Sequence, residues 1–145
     1  MIAGLLVMIA MQVPPKPGMT QFPATMGTAI VARDTMSQVD EPKQVVARTA
    51  AEWAALWRQH AGESPAPNVD LGTRTIVAIF LGTRPSAGYA VDITGTQESK
   101  GVLTVSWRER RPDPGDITAQ VLTTPMAIAS LPKFAGEIRF VRADK

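Results

Sequence analysis

The chain has 145 residues, 45% of them hydrophobic and 19% charged, with a net charge of +2. That suits one domain able to bury a core and lies far from the charge excess of disordered chains. A surplus of two positive charges is no dense basic stripe, so nucleic acid is not an expected partner, and the lack of cysteine excludes thiol catalysis, disulfides and thiolate metal sites.

The chain opens on MIAGLLVMIAM, uncharged and nearly all apolar. It is short of the roughly 20 apolar residues that a membrane-spanning helix needs, and has the length of a signal-peptide hydrophobic region. The expected organisation is a signal peptide over residues 1–12, a proline-rich linker over 13–24 and a single β-rich domain over 25–145. The expected location is exported, periplasmic or secreted, with no membrane span after signal cleavage.

TAIVAR from Thr28 and KQVVART to Thr49 read as strands, separated by the turn-forming Asp34, Ser37, Asp40 and Pro42. Thr49-Ala50-Ala51-Glu52 then has the form of a capping box. Behind it Trp53, Leu56, Trp57 and His60 recur at i, i+3, i+4 and i+7, alanines raise helix propensity and Gly62 is a stop. The pattern predicts a helix over 50–61 with both indoles inward, and a cost of about 3–5 kcal/mol for Trp57→Ala. Thr75 to Leu81 is apolar on both faces, as in a central strand covered on two sides. Tyr89 to Thr94 alternates, and after a turn at Gln97 to Gly101 so does VLTVSWRER, with Leu103, Val105 and Trp107 on one face. RPDPGD breaks the chain. ITAQVL and MAIASL read as two further strands around Thr123-Thr124-Pro125, and Ile138 to Arg142 as the last. The sum is a β-dominated α+β fold: seven or eight short strands, mostly antiparallel, in a sandwich or curved sheet with one short helix packed on it.

Catalytic groups are sparse. His60 is the only histidine, which excludes a multi-histidine metal site, and its place at a helix end favours a capping or surface role. The carboxylates are scattered, with no spacing of a glycosidase pair or a calcium loop, and Asp70 and Asp116 suit turn amides. Ser86 lies in Arg-Pro-Ser-Ala-Gly-Tyr, which lacks the first glycine of a nucleophile elbow. No catalytic residue, metal ligand or cofactor is expected. In Trp107-Arg108-Glu109-Arg110-Arg111, the alternation turns Trp107 to the core and Arg108 and Arg110 to solvent. A plain solvent-facing strand end is the favoured reading, and the alternative is an interface patch for an acidic protein surface.

The loop between Leu81 and Tyr89 is longer than a two-residue hairpin requires. Pro85 suits the second place of a turn, and Gly88 can take the positive φ that lets the chain re-enter a sheet. So constrained, the loop is expected to hold Arg84 and Ser86 outward with little entropy left to lose on binding. It reads equally as a well-made connection. The candidate binding residues are therefore Arg84, Pro85, Ser86, Gly88, Tyr89, Arg108 and Arg110.

Taken in order, Glu52-Trp53-x-x-Leu56-Trp57, Asp70 before an apolar strand, GTRPSAGYAVDI from Gly82, Pro112-Asp113-Pro114-Gly115 and VLTTPMAIASLPK from Val121 resemble the PrcB C-terminal domain family over about residues 45–142. The family's G-x-R-P-T-G-G-Y-like loop meets Gly82, Arg84, Pro85, Gly88 and Tyr89, and Ser86 and Ala87 depart from it. The family is named for an accessory protein of a secreted serine-protease complex. The resemblance implies an exported, non-enzymatic protein-binding module, with a protease as the partner and a role in its assembly or stability. Pro85 to Tyr89 is also similar to a loop of chagasin-type cysteine-protease inhibitors, with Arg84 where that family has Asn and no match to its glycine-rich second loop. That similarity implies the alternative, a small-protein protease inhibitor acting through residues 84–89. Neither resemblance specifies an oligomeric state.

Overall fold

The computed structural model describes residues 27–143; the expected signal peptide and linker lie outside the described residues. Seven strands and one helix follow one another as β1 (Ala29–Asp34), β2 (Pro42–Ala47), α1 (Ala50–Ala61), β3 (Arg74–Leu81), β4 (Ala90–Ser99), β5 (Val102–Arg110), β6 (Met126–Pro132) and β7 (Glu137–Arg142). They form a four-stranded sheet in the order β1-β6-β3-β2 and a three-stranded sheet in the order β4-β5-β7. Every pairing is antiparallel except β5 with β7, which is parallel.

The layers follow from side-chain parity in the two central strands. On one face of the larger sheet Ile76, Ala78 and Phe80 of β3 join Met126 and Ile128 of β6, and α1 covers them with Trp53 and Leu56. On the other face Val77, Ile79 and Leu81 join Ala127, Ala129 and Leu131. These meet Val91, Leu103, Val105 and Trp107 of the smaller sheet. β3 is thus buried on both sides, as its double apolar pattern demands.

The helix forms where the capping box places it. Thr49 Oγ1 accepts from the Glu52 amide at 3.1 Å, while Glu52 Oε1 accepts from the Arg48 amide at 2.7 Å, one residue outside the cap. Gly62 ends it with a bond from its amide to the Arg58 carbonyl. Trp53 and Leu56 are buried, whereas Trp57 is only half-buried and donates its indole N–H to the Ser64 carbonyl. The larger packing penalty therefore belongs to Trp53.

Three expectations need correction. β4 runs on to Ser99 through an irregularity between Ile93 and Gly95, so the turn narrows to Lys100-Gly101, both at positive φ. ITAQVL is not a strand: residues 117–122 lie outside both sheets. His60 is neither a cap nor a surface group but is buried, 4.9 Å from Trp57 edge-on, with Nδ1 2.9 Å from Ser37 Oγ. Ser37 Oγ also accepts from the Val39 amide, which ties the imidazole to the turn at residues 37–39. Burial lowers the imidazole pKa from its ordinary 6.5, and the charge of Asp34 opposes that only in part.

Candidate protein-docking face

Glu109 organises the end of the molecule that holds the Leu81–Tyr89 loop. It shares the inward parity of Leu103, Val105 and Trp107 on β5, so alternation drives a carboxylate into the interior. Its side chain is 1% exposed. An isolated charge there would be costly, and guanidiniums surround it. Arg84 Nε donates to Oε2 at 2.6 Å, and Arg84 Nη2, Arg142 Nη2 and Arg111 Nη2 approach Oε1 at 3.3, 2.6 and 3.4 Å. Burial pushes the Glu109 carboxyl pKa up. The hydrogen bonds from Arg84 and Arg142 and the charges of Arg84 and Arg111 outweigh it and hold the pKa below the usual carboxylate range.

Arg84 is therefore turned inward, against expectation. Its Nη1 also donates to the Leu81 and Thr83 carbonyls, so the guanidinium staples the start of the loop to the end of β5. Ser86 is buried as well, with Oγ bonded to the Ala87 carbonyl and its own carbonyl accepting from Thr123 Oγ1 at 2.9 Å. The sequence showed the loop's stiffness but not the partner that aims Arg84. The signal for that was Glu109, an acidic residue at a core-facing position of a strand.

The remainder of the loop is closed by the chain that returns from β5 to β6. Arg84 and Thr123 exchange backbone hydrogen bonds at 2.7 and 3.0 Å, and the Ala87 amide donates to the Ala119 carbonyl at 2.9 Å. Gly88 sits at φ +100°, and a Cβ there would lie 2.9 Å from Pro112 Cβ. Pro85 and Gly88 are exposed and Tyr89 is half-buried.

A second cluster stands on the opposite parity. Asp92 of β4, directly across from Arg108, accepts from Arg110 Nη2 at 2.7 Å and from Arg108 Nε at 3.4 Å. Arg33 of β1 reaches it at 4.0 Å. The hydrogen bond from Arg110 is the main cause that lowers the Asp92 pKa, with burial opposing and Arg108 adding to it. Of the predicted residues, the structure therefore joins Arg108 with Arg110, and Arg84 with Ser86, but gives the two pairs different orientations.

The result is a layered charge distribution. Arg33, Arg108, Arg110, Arg111 and Arg142 are 40–64% exposed, while the carboxylates that hold them, Asp92 and Glu109, are 19% and 1% exposed. An approaching molecule meets guanidinium first. Arg142 additionally lies over the Trp107 ring, 5.2 Å from its centroid. Asp113 and Asp116 occupy the turn beyond Arg111, where Asp116 caps the Asp113 amide. Residues 117–122, joined to the loop through Ala119 and followed by Thr123 on Arg84, expose Ile117, Val121 and Leu122.

Elsewhere, a cleft of about 790 Å³ opens between residues 48–50 and 68–72. Its charged side chains are committed, Arg48 to the Phe134 and Gly136 carbonyls and Asp70 to the Gly72 amide. His60 lies on the helix side of the larger sheet, with Phe80, and does not join Asp92 or Arg108. Among the described residues, no group of three or more His, Cys, Asp or Glu is placed to hold a metal ion, and no helix is long and apolar enough to cross a membrane.

Neither a curated protein nor a solved structure matches the chain. Residues 75–132, which run from β3 through the loop and both strands of the β4–β5 hairpin to the end of β6, match the family model described as PrcB C-terminal, the family that the motifs resemble.

Proposed function

We propose that this chain is an exported, non-enzymatic protein-binding module that serves as an accessory or stabilising partner of a secreted protease. The family match supplies the protease context. The observation that carries the binding role is the arginine-rich end, where five exposed guanidiniums are held in place by carboxylates lying beneath them. Arginines fixed in this way lose little side-chain entropy on association, and arginine is among the residues that anchor interfaces.

The partner surface is acidic on this reading, and the 82–89 loop acts as its scaffold rather than its tip. A chagasin-type inhibitor would need residues 84–89 as an insertable wedge, yet Arg84, Ser86 and Ala87 are bonded into the molecule.

The test is affinity capture from the exported fraction, followed by identification of what is retained. Arg108→Gln/Arg110→Gln/Arg111→Gln should release the partner, and raised salt should weaken its retention, because exposed charges are screened over about 10 Å at 0.1 M. A partner retained equally by the triple variant would remove the arginine face from the account. Capture of nothing by the wild type would remove the binding role itself.

A further inference from the structure

Residues 117–122 run from Asp116 to Thr123 without helix, turn or bend. One side of this segment is tied to the loop, through the Ala119 carbonyl and through Thr123. In extended chain the N–H and C=O of one residue point the same way and those of its neighbours point oppositely. Residues 119 and 123 therefore face the loop, and Thr118, Gln120 and Leu122 turn their backbone groups away from it. Among the described residues, no amide of 117–122 donates to a backbone carbonyl. The outward Thr118 carbonyl is occupied only by the side chain of Gln120, at 3.1 Å.

This bare edge lacks the usual protection. Edges of sheets are guarded by proline and charge, as β2 is by Pro42 and Lys43 and β7 by the Glu137–Arg139 pair. ITAQVL contains neither proline nor a charged residue, and its Ile117, Val121 and Leu122 are exposed. Arg84, which exchanges backbone bonds with Thr123, shares the Glu109 carboxylate with Arg111, so the exposed Arg111 guanidinium stands at the same end.

We propose that the outward edge of residues 118–122 is a strand-addition site for an extended segment of a partner protein in which apolar and acidic side chains alternate. The inference rests on the binding-module reading above. Main-chain bonds to Thr118, Gln120 and Leu122 supply the register, as in other modes of peptide recognition by an exposed edge. The apolar side chains cover Ile117 and Val121, which share one face of the extended segment, and the carboxylates on the other face are drawn to Arg111. Asp113 and Asp116 on the preceding turn repel acidic groups, which confines the occupant's carboxylates to the arginine side.

A capped heptapeptide of alternating Val and Glu is the probe, titrated into the isotopically labelled chain and followed by amide exchange. The amides of Thr118, Gln120 and Leu122 should become protected and those of Ile117, Ala119 and Val121 should not. Gln120→Pro removes one outward donor and should bind about tenfold or more weakly, whereas Gln120→Ala frees the Thr118 carbonyl and should bind as well as the wild type or better. A Val/Lys peptide should bind less than the Val/Glu one. Protection at all six amides alike, protection only elsewhere, absence of binding at millimolar peptide, or wild-type affinity in Gln120→Pro would each overturn the proposal. A partner captured equally by wild type and Gln120→Pro would overturn it while leaving the binding-module reading intact. Protection of the three amides with no captured partner would support the edge and count against that reading.

Discussion

Replacing Arg84 by Ala tests the internal ion pair directly. The substitution leaves Glu109, 1% exposed, without its bond at 2.6 Å, and frees the Leu81 and Thr83 carbonyls. Breaking a buried pair from one side costs about 3–5 kcal/mol, because an uncompensated charge stays behind. Here Arg142 and Arg111 remain on Oε1, so a loss just below that range, about 2–3 kcal/mol, is expected. For a domain of this size that corresponds to a fall of about 3–6 °C in melting temperature per kcal/mol. Glu109→Leu should cost more, since it strands three guanidiniums on one another. The double variant Arg84→Ala/Glu109→Leu should cost less than the two single losses added together, by about 1–3 kcal/mol, because neither charge is then left behind by the loss of the other. Urea unfolding of the four proteins closes the cycle. A loss below about 0.5 kcal/mol for Arg84→Ala, the size of an ordinary surface substitution, would mean that the guanidinium is outward and the loop is the free tip suggested by the sequence.

The remaining expectations concern the helix, the histidine and the loop. Trp53→Ala should destabilise by about 3–5 kcal/mol in urea unfolding and Trp57→Ala by clearly less, although periodicity alone turns both indoles inward. Thr49→Ala removes the acceptor for the Glu52 amide and should cost about 1 kcal/mol in the same assay. His60 has a lowered folded pKa, so its contribution is complete above about pH 6.5 and is lost as pH falls through the folded value. Unfolding free energies measured from pH 7.5 to 5 should fall for the wild type and stay flatter for His60→Gln. Asp92 and Glu109, with pKa values held below their usual 3.8 and 4.5, add a second loss only at more acid pH. Gly88→Ala meets both a positive φ and Pro112, and should lower the melting temperature measurably.

Much of the scaffold was legible because it obeys local rules. The capping box and Gly62 place α1 at the predicted residues, and the double apolar face of Thr75 to Leu81 predicts a strand buried between two layers. The failures have a common physical source in long-range pairing. ITAQVL has strand propensity, but its neighbour is the irregular 84–87 loop, and one strand edge cannot make a ladder with a loop that turns. His60 looked like a helix-end cation because Ser37, 23 positions away, is invisible to local pattern. Arg84 looked outward because Pro85 and Gly88 mark a stiff turn, whereas its direction is decided by a carboxylate on the inward parity of β5. Parity was nonetheless sufficient for the other cluster, since Arg108 and Arg110 share the outward face with Ser106 and Thr104.

On the proposed function, a partner meets the arginine-rich end of the sandwich and not some other surface. β4 and β5 run from that end, at Ala90 opposite Arg110, to the Lys100-Gly101 turn, about 30 Å away at 3.3 Å per residue. A photo-crosslinking residue placed at Val121 samples the proposed face, and one placed at Ser99 samples the far turn. Position 121 should give a partner adduct and position 99 none; an adduct from 99 alone would place the docking surface at the far turn and refute the proposal.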